Sequence, residues 1–279
     1  MNRSFFAETL GIPVAATFHG KGVFSDDHPL ALGAVGCMRH DYANFGFDQA
    51  GLIIHLHRFP AEVDAHYDVA VGLHSDISRS LDALTGAAGP RAAGTQGPDR
   101  IRALLAAELA RGRHDGRFPL APARIVADTR AALGREDIVL ADTGALKMWM
   151  ARLYPTYEPS TCLISNGLST MAWTVPGAIG AKVARPGCRV LAATGDGAFL
   201  MNSQEIETAL RLRVPFVILI WVDDAYGRPG RATVLTDPRA AGFRSARSMT
   251  CWPDQLAARP WPWRGATCTT KRSRWHRAL

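Results

Sequence analysis

The sequence lacks three features that would place the protein in a specialised class: a long apolar run, a paired-cysteine motif and a secretory leader. No stretch reaches the roughly 18 consecutive apolar residues that a membrane-spanning helix needs. The five cysteines are scattered without a C-x-x-C pair, which disfavours a zinc site or a disulfide framework. The amino terminus has neither the apolar core nor the cleavage site of an export signal. Together these absences predict a cytoplasmic protein that does not enter a membrane.

Positive charge exceeds negative charge only near the carboxyl terminus of the chain. The net charge is +7, but residues 228–279 contain 11 Lys and Arg and only 2 Asp, so the rest of the chain is slightly acidic. This basic stretch is either a nucleic-acid-binding tail or, as we favour, the product of a frameshift in a GC-rich gene. Hydrophobic periodicity ends abruptly after Gly227, and the following residues are rich in Arg, Pro and Trp. A nucleic-acid partner is therefore disfavoured.

Alternating strand and helix patterns indicate an α/β fold. From residue 121 onward, short apolar runs alternate with amphipathic or Pro-initiated helical patterns, ending in the apolar run 216–222. This order predicts a parallel sheet with helices on both faces. Residues 85–98 are rich in Gly, Ala and Pro and are typical of a linker, with a helix predicted to end before them at Leu84.

The stretch Thr194–Gly227 carries the most specific chemical signal. Gly195-Asp196-Gly197 follows one apolar strand, and Asp223 follows the next strand after an intervening 25 residues. Both acids would face the crevice at the carboxyl ends of a parallel sheet. Carboxylates and phosphate oxygens are typical ligands of Mg²⁺, and glycines before a helix allow close approach of a phosphate. Asn202 is expected to cap the following helix, whose buried face would include Leu210.

This spacing resembles the diphosphate-binding motif of thiamine diphosphate (ThDP) enzymes. The phrases GDGAFLMNSQEIETAL and LIWVDDAYG are similar to those of the acetolactate synthase large, or catalytic, subunit, and GIPVAATFHGKGVF resembles the central domain of the same family. The resemblance implies a partial Rossmann-like central domain, a connector, a partial diphosphate-binding domain and an irregular or disordered tail. The corresponding ranges are 1–84, 85–120, 121–227 and 228–279.

The resemblance also implies the site residues. Mg²⁺ would be bound by Asp196, Asp223 and the carbonyl of Ala225, while Asp224 would be a turn residue. Met171 would wedge between the two rings of ThDP. The residues implied to contact the cofactor are Gly144, Ala145, Leu168, Ser169, Met171, Gly195, Asp196, Gly197, Ala198 and Asn202.

The implied reaction is the condensation of two pyruvate molecules to 2-acetolactate with loss of CO₂, and the implied partner is pyruvate or another 2-oxo acid. Family members form homo-oligomers, and some carry FAD, which nothing in this sequence indicates.

The glutamate that activates ThDP in the family lies in an amino-terminal domain that this sequence does not contain, so no catalytic residue is assigned. With an internal deletion inferred near Ile54-His55, we expect an incomplete, inactive remnant. Two alternatives stay open: another ThDP-dependent decarboxylase or lyase, and a nucleic-acid-binding module.

Overall fold

The computed structural model describes residues 3–34, 53–57, 70–88, 96–116 and 120–222. Its helices are α1 (Arg3–Leu10), α2 (Ile77–Ala88), α3 (Gln96–Arg113), α4 (Pro122–Ala132), α5 (Ala145–Leu153), α6 (Thr174–Ala184), α7 (Asp196–Met201) and α8 (Glu205–Leu212). Its strands are β1 (Val14–Ala16), β2 (Ala31–Ala34), β3 (Ile54–His57), β4 (Val71–His74), β5 (Ile138–Ala141), β6 (Cys162–Ile164), β7 (Val190–Gly195) and β8 (Val217–Trp221). Within these ranges, no helix has both the length and the apolar character needed to cross a bilayer.

The main sheet consists of four parallel strands in the order β6-β5-β7-β8. Val139 of β5 pairs with Cys162 on one side and with Leu191 on the other. Every residue of β5 is buried, as are the first five residues of β7. Such continuous burial is typical of parallel strands that are covered on both faces. The predicted α/β architecture, a parallel sheet with flanking helices, is confirmed.

Each face of this sheet has its own core, because successive strand residues point to opposite faces. On one face, Val139 packs in a cluster with Val126 of α4 and Met150 of α5. On the other face, Leu140 packs in a cluster with Ala178 of α6. The helices therefore hold β5 from both sides, and its carboxyl end is set in a rigid frame.

The strand order creates a switch point between β5 and β7. The chain leaves β5, passes through α5 and returns beside it as β6, whereas α6 carries it to β7 on the opposite side of β5. At such a point the two connections diverge and leave a crevice outside the carboxyl ends of the strands, where open α/β sheets bind ligands. The fold thus predicts where a ligand site lies.

The described part of the amino-terminal region contains two short parallel pairs, β1 with β2 and β3 with β4. Ile54 and His55, where the sequence suggests an internal deletion, lie together in β3. The loop between β1 and β2 docks on the segment before β6, where Asp26 N donates to Thr156 O at 2.9 Å and Thr156 N donates to the Asp26 carboxylate at 2.8 Å. Arg135 forms an ion pair with Asp27 at 2.7 Å across the same boundary. These contacts fix the loop to the carboxyl-terminal part of the described chain.

An ion pair closes the opposite, amino-terminal edge of the main sheet. The Asp137 carboxylate, next to β5, accepts hydrogen bonds from Gly134 N at 2.6 Å and from Arg189 Nε, next to β7, at 2.7 Å. Burial alone would raise the pKa of Asp137, but the hydrogen bond from Gly134 and the charge of Arg189 outweigh it and hold the pKa below its ordinary value.

Two local predictions are wrong. The helix expected to end at Leu84 continues as α2 to Ala88, because the alanines at its end are strong helix formers. The helix expected after Asn202 begins at Glu205, and no residue of it is buried; Leu210 is 50% exposed. This helix packs against α6, where Ile206 and Ala209 lie partly buried against the core cluster of Leu140 and Ala178, whereas Leu210 faces away from that cluster.

Candidate functional site

Asp142 lies at the switch point, immediately after β5, and is completely buried. Its Oδ1 accepts hydrogen bonds from Thr143 N at 2.8 Å and Ala172 N at 2.9 Å. Its Oδ2 accepts from Thr174 Oγ1 at 2.7 Å and Thr194 Oγ1 at 3.1 Å. One carboxylate therefore ties together the end of β5, the segment before α6 and the end of β7.

These four donors determine what Asp142 can do. A buried carboxylate is costly unless its oxygens are hydrogen-bonded, and each oxygen of Asp142 receives two donors. With both oxygens engaged, this side chain is a structural anchor of the crevice and a poor candidate for a metal ligand.

The turn between β5 and α5 presents open backbone. Gly144 has φ of 143° and precedes the first residue of α5, Ala145; a Cβ at Gly144 would meet no atom within 4 Å. This φ favours glycine, so the turn has no side chain at the point where it passes the crevice. Leu146, the next residue, is 3% exposed and anchors α5 in the core.

The segment 165–173, between β6 and α6, is the most unusual backbone at this edge. Ser169 and Ala172 adopt left-handed conformations, with φ of 51° and 68°. Residues other than glycine rarely hold such conformations unless the surrounding structure imposes them. Ala172 is held on both sides: its N–H donates to Asp142, and its carbonyl accepts from Asn202 Nδ2 at 2.9 Å. Met171, directly before it, is half-buried.

The predicted phosphate loop forms the third part of the edge. Gly195 ends β7 and Asp196 begins α7. The Asp196 Oδ1 atom accepts a hydrogen bond from Gly197 N at 2.8 Å. No other described group bonds to this carboxylate, so it keeps acceptor capacity for a ligand. Ala198 is 1% exposed and packs α7 against the sheet.

Asn202 has a different role from the helix cap expected of it. It directly follows α7, and its side chain donates across the crevice to Ala172 O and accepts from Gln204 Nε2 at 3.1 Å. The helix α8 begins three residues later, without a side-chain cap. Asn202 therefore joins the phosphate loop to the segment that carries Met171.

The structure brings the predicted residues together to different degrees. Three groups of them lie on turns at the carboxyl edge of the sheet: Gly144 and Ala145, then Ser169 and Met171, then Gly195 to Ala198 with Asn202. Leu168 is on the same segment but is 93% exposed. Asp223 and Ala225 lie outside the described residues, so their part in a metal site stays a prediction.

Sequence reasoning missed Asp142 as an anchor of the crevice. It also missed Lys147, whose ammonium donates to Asn166 and Ser169 in the segment 165–173. The sequence signal that could have identified Asp142 is its position directly after a wholly apolar strand. With its glycine-bearing turns, the described chain forms a parallel α/β domain with a switch point at the carboxyl ends of β5 and β7, where folds of this class bind ligands.

Comparison with known proteins identifies the family. The C-terminal binding domain of thiamine pyrophosphate enzymes matches residues 142–255, and the central domain of the same enzymes matches residues 4–56. The first match begins at Asp142, includes the whole crevice and extends past Gly227, where the sequence pattern predicts the tail to begin. The chain belongs to the family of thiamine diphosphate-dependent enzymes that includes the acetolactate synthase large subunits.

Relatives in this family support that placement. The chain is 33% identical over 253 residues to a probable acetolactate synthase large subunit of Methanocaldococcus jannaschii, covering 79% of this chain and 43% of that protein. It is 29% identical over 247 residues to an acetolactate synthase of Bacillus subtilis, covering 77% and 42%. A catabolic acetolactate synthase of Raoultella terrigena is 33% identical over 181 residues, covering 62% and 32%. The chain thus spans less than half the length of these relatives.

Proposed function

We propose that the crevice at the carboxyl ends of β5 and β7 binds the diphosphate of ThDP together with Mg²⁺. The observation that carries this proposal is the convergence of three turns on one switch point, inside the region that matches a ThDP-binding domain. The residues present fit such a group: Gly144 leaves its turn without a side chain, and the Asp196 carboxylate has one described partner. A carboxylate with free acceptor capacity beside phosphate oxygens suits a hard cation.

Each residue has a separate role in this proposal. Asp196 is a Mg²⁺ ligand, joined by Asp223 and the carbonyl of Ala225. Backbone groups of Gly144 and Gly197 would bind the diphosphate. Met171 supports the cofactor rings from its half-buried position. Asp142 binds no ligand but keeps these groups at fixed separations.

The reaction proposed for the site is of the acetolactate synthase type, with pyruvate as the substrate. Bound ThDP supplies the electron sink for decarboxylation of a 2-oxo acid. The protein's contribution is to bind and orient the cofactor. Asp142 is fully hydrogen-bonded and Asp196 is assigned to the metal, so neither carboxylate is assigned to proton transfer. We expect this chain alone to bind ThDP without turning over pyruvate.

Calorimetric titration with ThDP tests the binding site. We expect saturable binding that requires Mg²⁺ and is lost in excess EDTA. Asp196→Asn keeps the acceptor for Gly197 N but removes the charge, and should weaken binding at least about tenfold because a hard cation needs an anionic ligand. The matched control is Asp82→Asn, which changes an exposed acid on α2. Equal affinity of the Asp196 and Asp82 variants, or Mg²⁺-independent binding, would contradict the proposed site.

Product analysis tests the reaction separately from binding. Incubation with pyruvate, ThDP and Mg²⁺ should give no 2-acetolactate from this chain alone. Formation of 2-acetolactate would overturn the expected inactivity and support the synthase assignment. Formation of acetaldehyde would instead favour a decarboxylase.

A further inference from the structure

Lys147 is a buried cation beside the crevice to which the proposed function gives no role. It is the third residue of α5 and is only 7% exposed. Its ammonium donates to Asn166 Oδ1 at 3.0 Å and to Ser169 Oγ at 3.1 Å, both on the segment 165–173. It also lies 5.2 Å from the centre of the Phe18 ring, in the loop after β1.

Local preferences do not explain a lysine at this position. The first turn of a helix carries the positive end of the helix dipole, so a cation there is unfavourable. Burial of an ammonium is also costly and must be offset by hydrogen bonds or by an aromatic face. Asn166, Ser169 and Phe18 supply such contacts, and all three are distant in sequence. Tertiary contacts therefore hold Lys147 where helix preference opposes it.

The contacts of Lys147 complete a clamp on the segment before α6. Its ammonium holds Asn166 and Ser169 at one end of the segment, while Asp142 and Asn202 hold Ala172 at the other. Met171 lies between these two anchors. A backbone with two left-handed residues needs such restraint to keep one conformation.

We propose that Lys147 is a positioning residue that fixes the turn Asn166–Ser169 and, through Phe18, links the cofactor segment to the preceding domain. Its effect on ThDP rests on the proposed function of the crevice. Its effect on the segment does not, because it follows from the hydrogen bonds alone.

Lys147→Met tests this inference, since methionine keeps an apolar side chain of similar length but removes the ammonium. The matched control is Lys182→Met. Lys182 likewise donates to two neutral acceptors, Pro186 O at 2.8 Å and Cys188 O at 2.7 Å, but lies at the far end of α6. Hydrogen exchange of the amides in 165–173, measured without cofactor, reports how firmly the segment is held in its folded conformation. Calorimetry with ThDP and Mg²⁺ reports the consequence for binding.

In Lys147→Met, we expect exchange in 165–173 to accelerate and the Kd for ThDP to rise, each by about tenfold, since small displacements of a site are costly. In Lys182→Met, both quantities should stay within about twofold of the unmodified chain. Unchanged exchange in Lys147→Met would overturn the inference, whatever the measured Kd for ThDP. If the unmodified chain binds no ThDP, the proposed function fails, while the exchange result still decides the role of Lys147.

Asn166→Ala provides a second variant in case Lys147→Met does not fold. Asn166 is exposed, so its replacement leaves the core intact while removing one of the two acceptors. We expect faster exchange at 165–169 but little change at Ala172, which Asp142 and Asn202 hold. A uniform change along the segment, or none, would count against a clamp with two separate ends.

Discussion

Replacement of Ala172 by glycine tests whether the segment before α6 stores backbone strain. Ala172 has φ of 68° and is 3% exposed. The left-handed conformation costs an L-residue about 1–2 kcal/mol, a cost that glycine does not bear. Ala172→Gly should therefore relieve this strain in the folded state.

Two other terms act in the opposite direction. Loss of a buried methyl group costs about 0.8 kcal/mol. The greater conformational freedom of glycine in the unfolded chain costs a further 0.5–1 kcal/mol, approximately. Strain relief of about 1–2 kcal/mol largely offsets their sum, so the free energy of unfolding should change by less than about 0.8 kcal/mol.

Ala151→Gly is the matched control, because Ala151 is 0% exposed and lies in α5 with ordinary helical geometry. It loses the same methyl group and gains the same unfolded-state freedom, but relieves no strain. We expect it to destabilise the protein by about 1.3–1.8 kcal/mol. The difference between the two variants, about 1–2 kcal/mol, isolates the strain at Ala172.

Urea unfolding followed by tryptophan fluorescence gives the free energy of unfolding of both variants. The midpoints can be compared directly when the slope of this free energy against urea concentration is the same. A midpoint for Ala172→Gly close to that of the unmodified chain, with Ala151→Gly clearly lower, is the expected result. If Ala172→Gly loses as much stability as Ala151→Gly, the strain assigned to this segment is wrong.

Two further predictions concern other parts of the fold. Gly22 has φ of +81°, and a Cβ there would lie 2.6 Å from Thr156 Cγ2, so Gly22→Ala should lower the free energy of unfolding by about 2 kcal/mol or more. Gly20→Ala, whose nearest atoms would be 3.5 Å away, is its control, and equal urea midpoints for the two would refute the predicted clash. Asp137 has a lowered pKa, so its stabilising contribution is present above the unfolded value near pH 4 and is lost as pH falls through the folded value. Asp137→Asn should therefore weaken the loss of stability as pH falls below about 5, measured by urea unfolding at successively lower pH, and an unchanged pH dependence would show that this ion pair does not matter.

The sequence predicted the main sheet because its signal is local. The apolar runs that become β5, β7 and β8 are visible without knowledge of their partners, and their alternation with helices implies a parallel arrangement. The helix α5 begins directly after the glycine of its turn. These features depend on short stretches of chain, which is why a pattern can reveal them.

The features that sequence reasoning missed depend on distant contacts. The left-handed conformations of Ser169 and Ala172 have no local signal, because neither residue favours them. The break between α7 and α8 follows from the bond of Asn202 to Ala172, 30 residues away. Lys147 resembles an ordinary helix residue until the structure brings Asn166 and Phe18 beside it. In each case, hydrogen bonds or packing across the crevice override the local preference.

Asp142 and Asp196 show why an acid at the end of a strand does not by itself indicate a metal site. Both follow neighbouring strands of one parallel sheet, and both face the same switch point. The oxygens of Asp142 take four donors, whereas the described residues offer Asp196 only the N–H of Gly197. The number of donors within reach therefore separates the anchor from the candidate ligand. Since those donors come from three different segments, only the folded chain distinguishes the two roles.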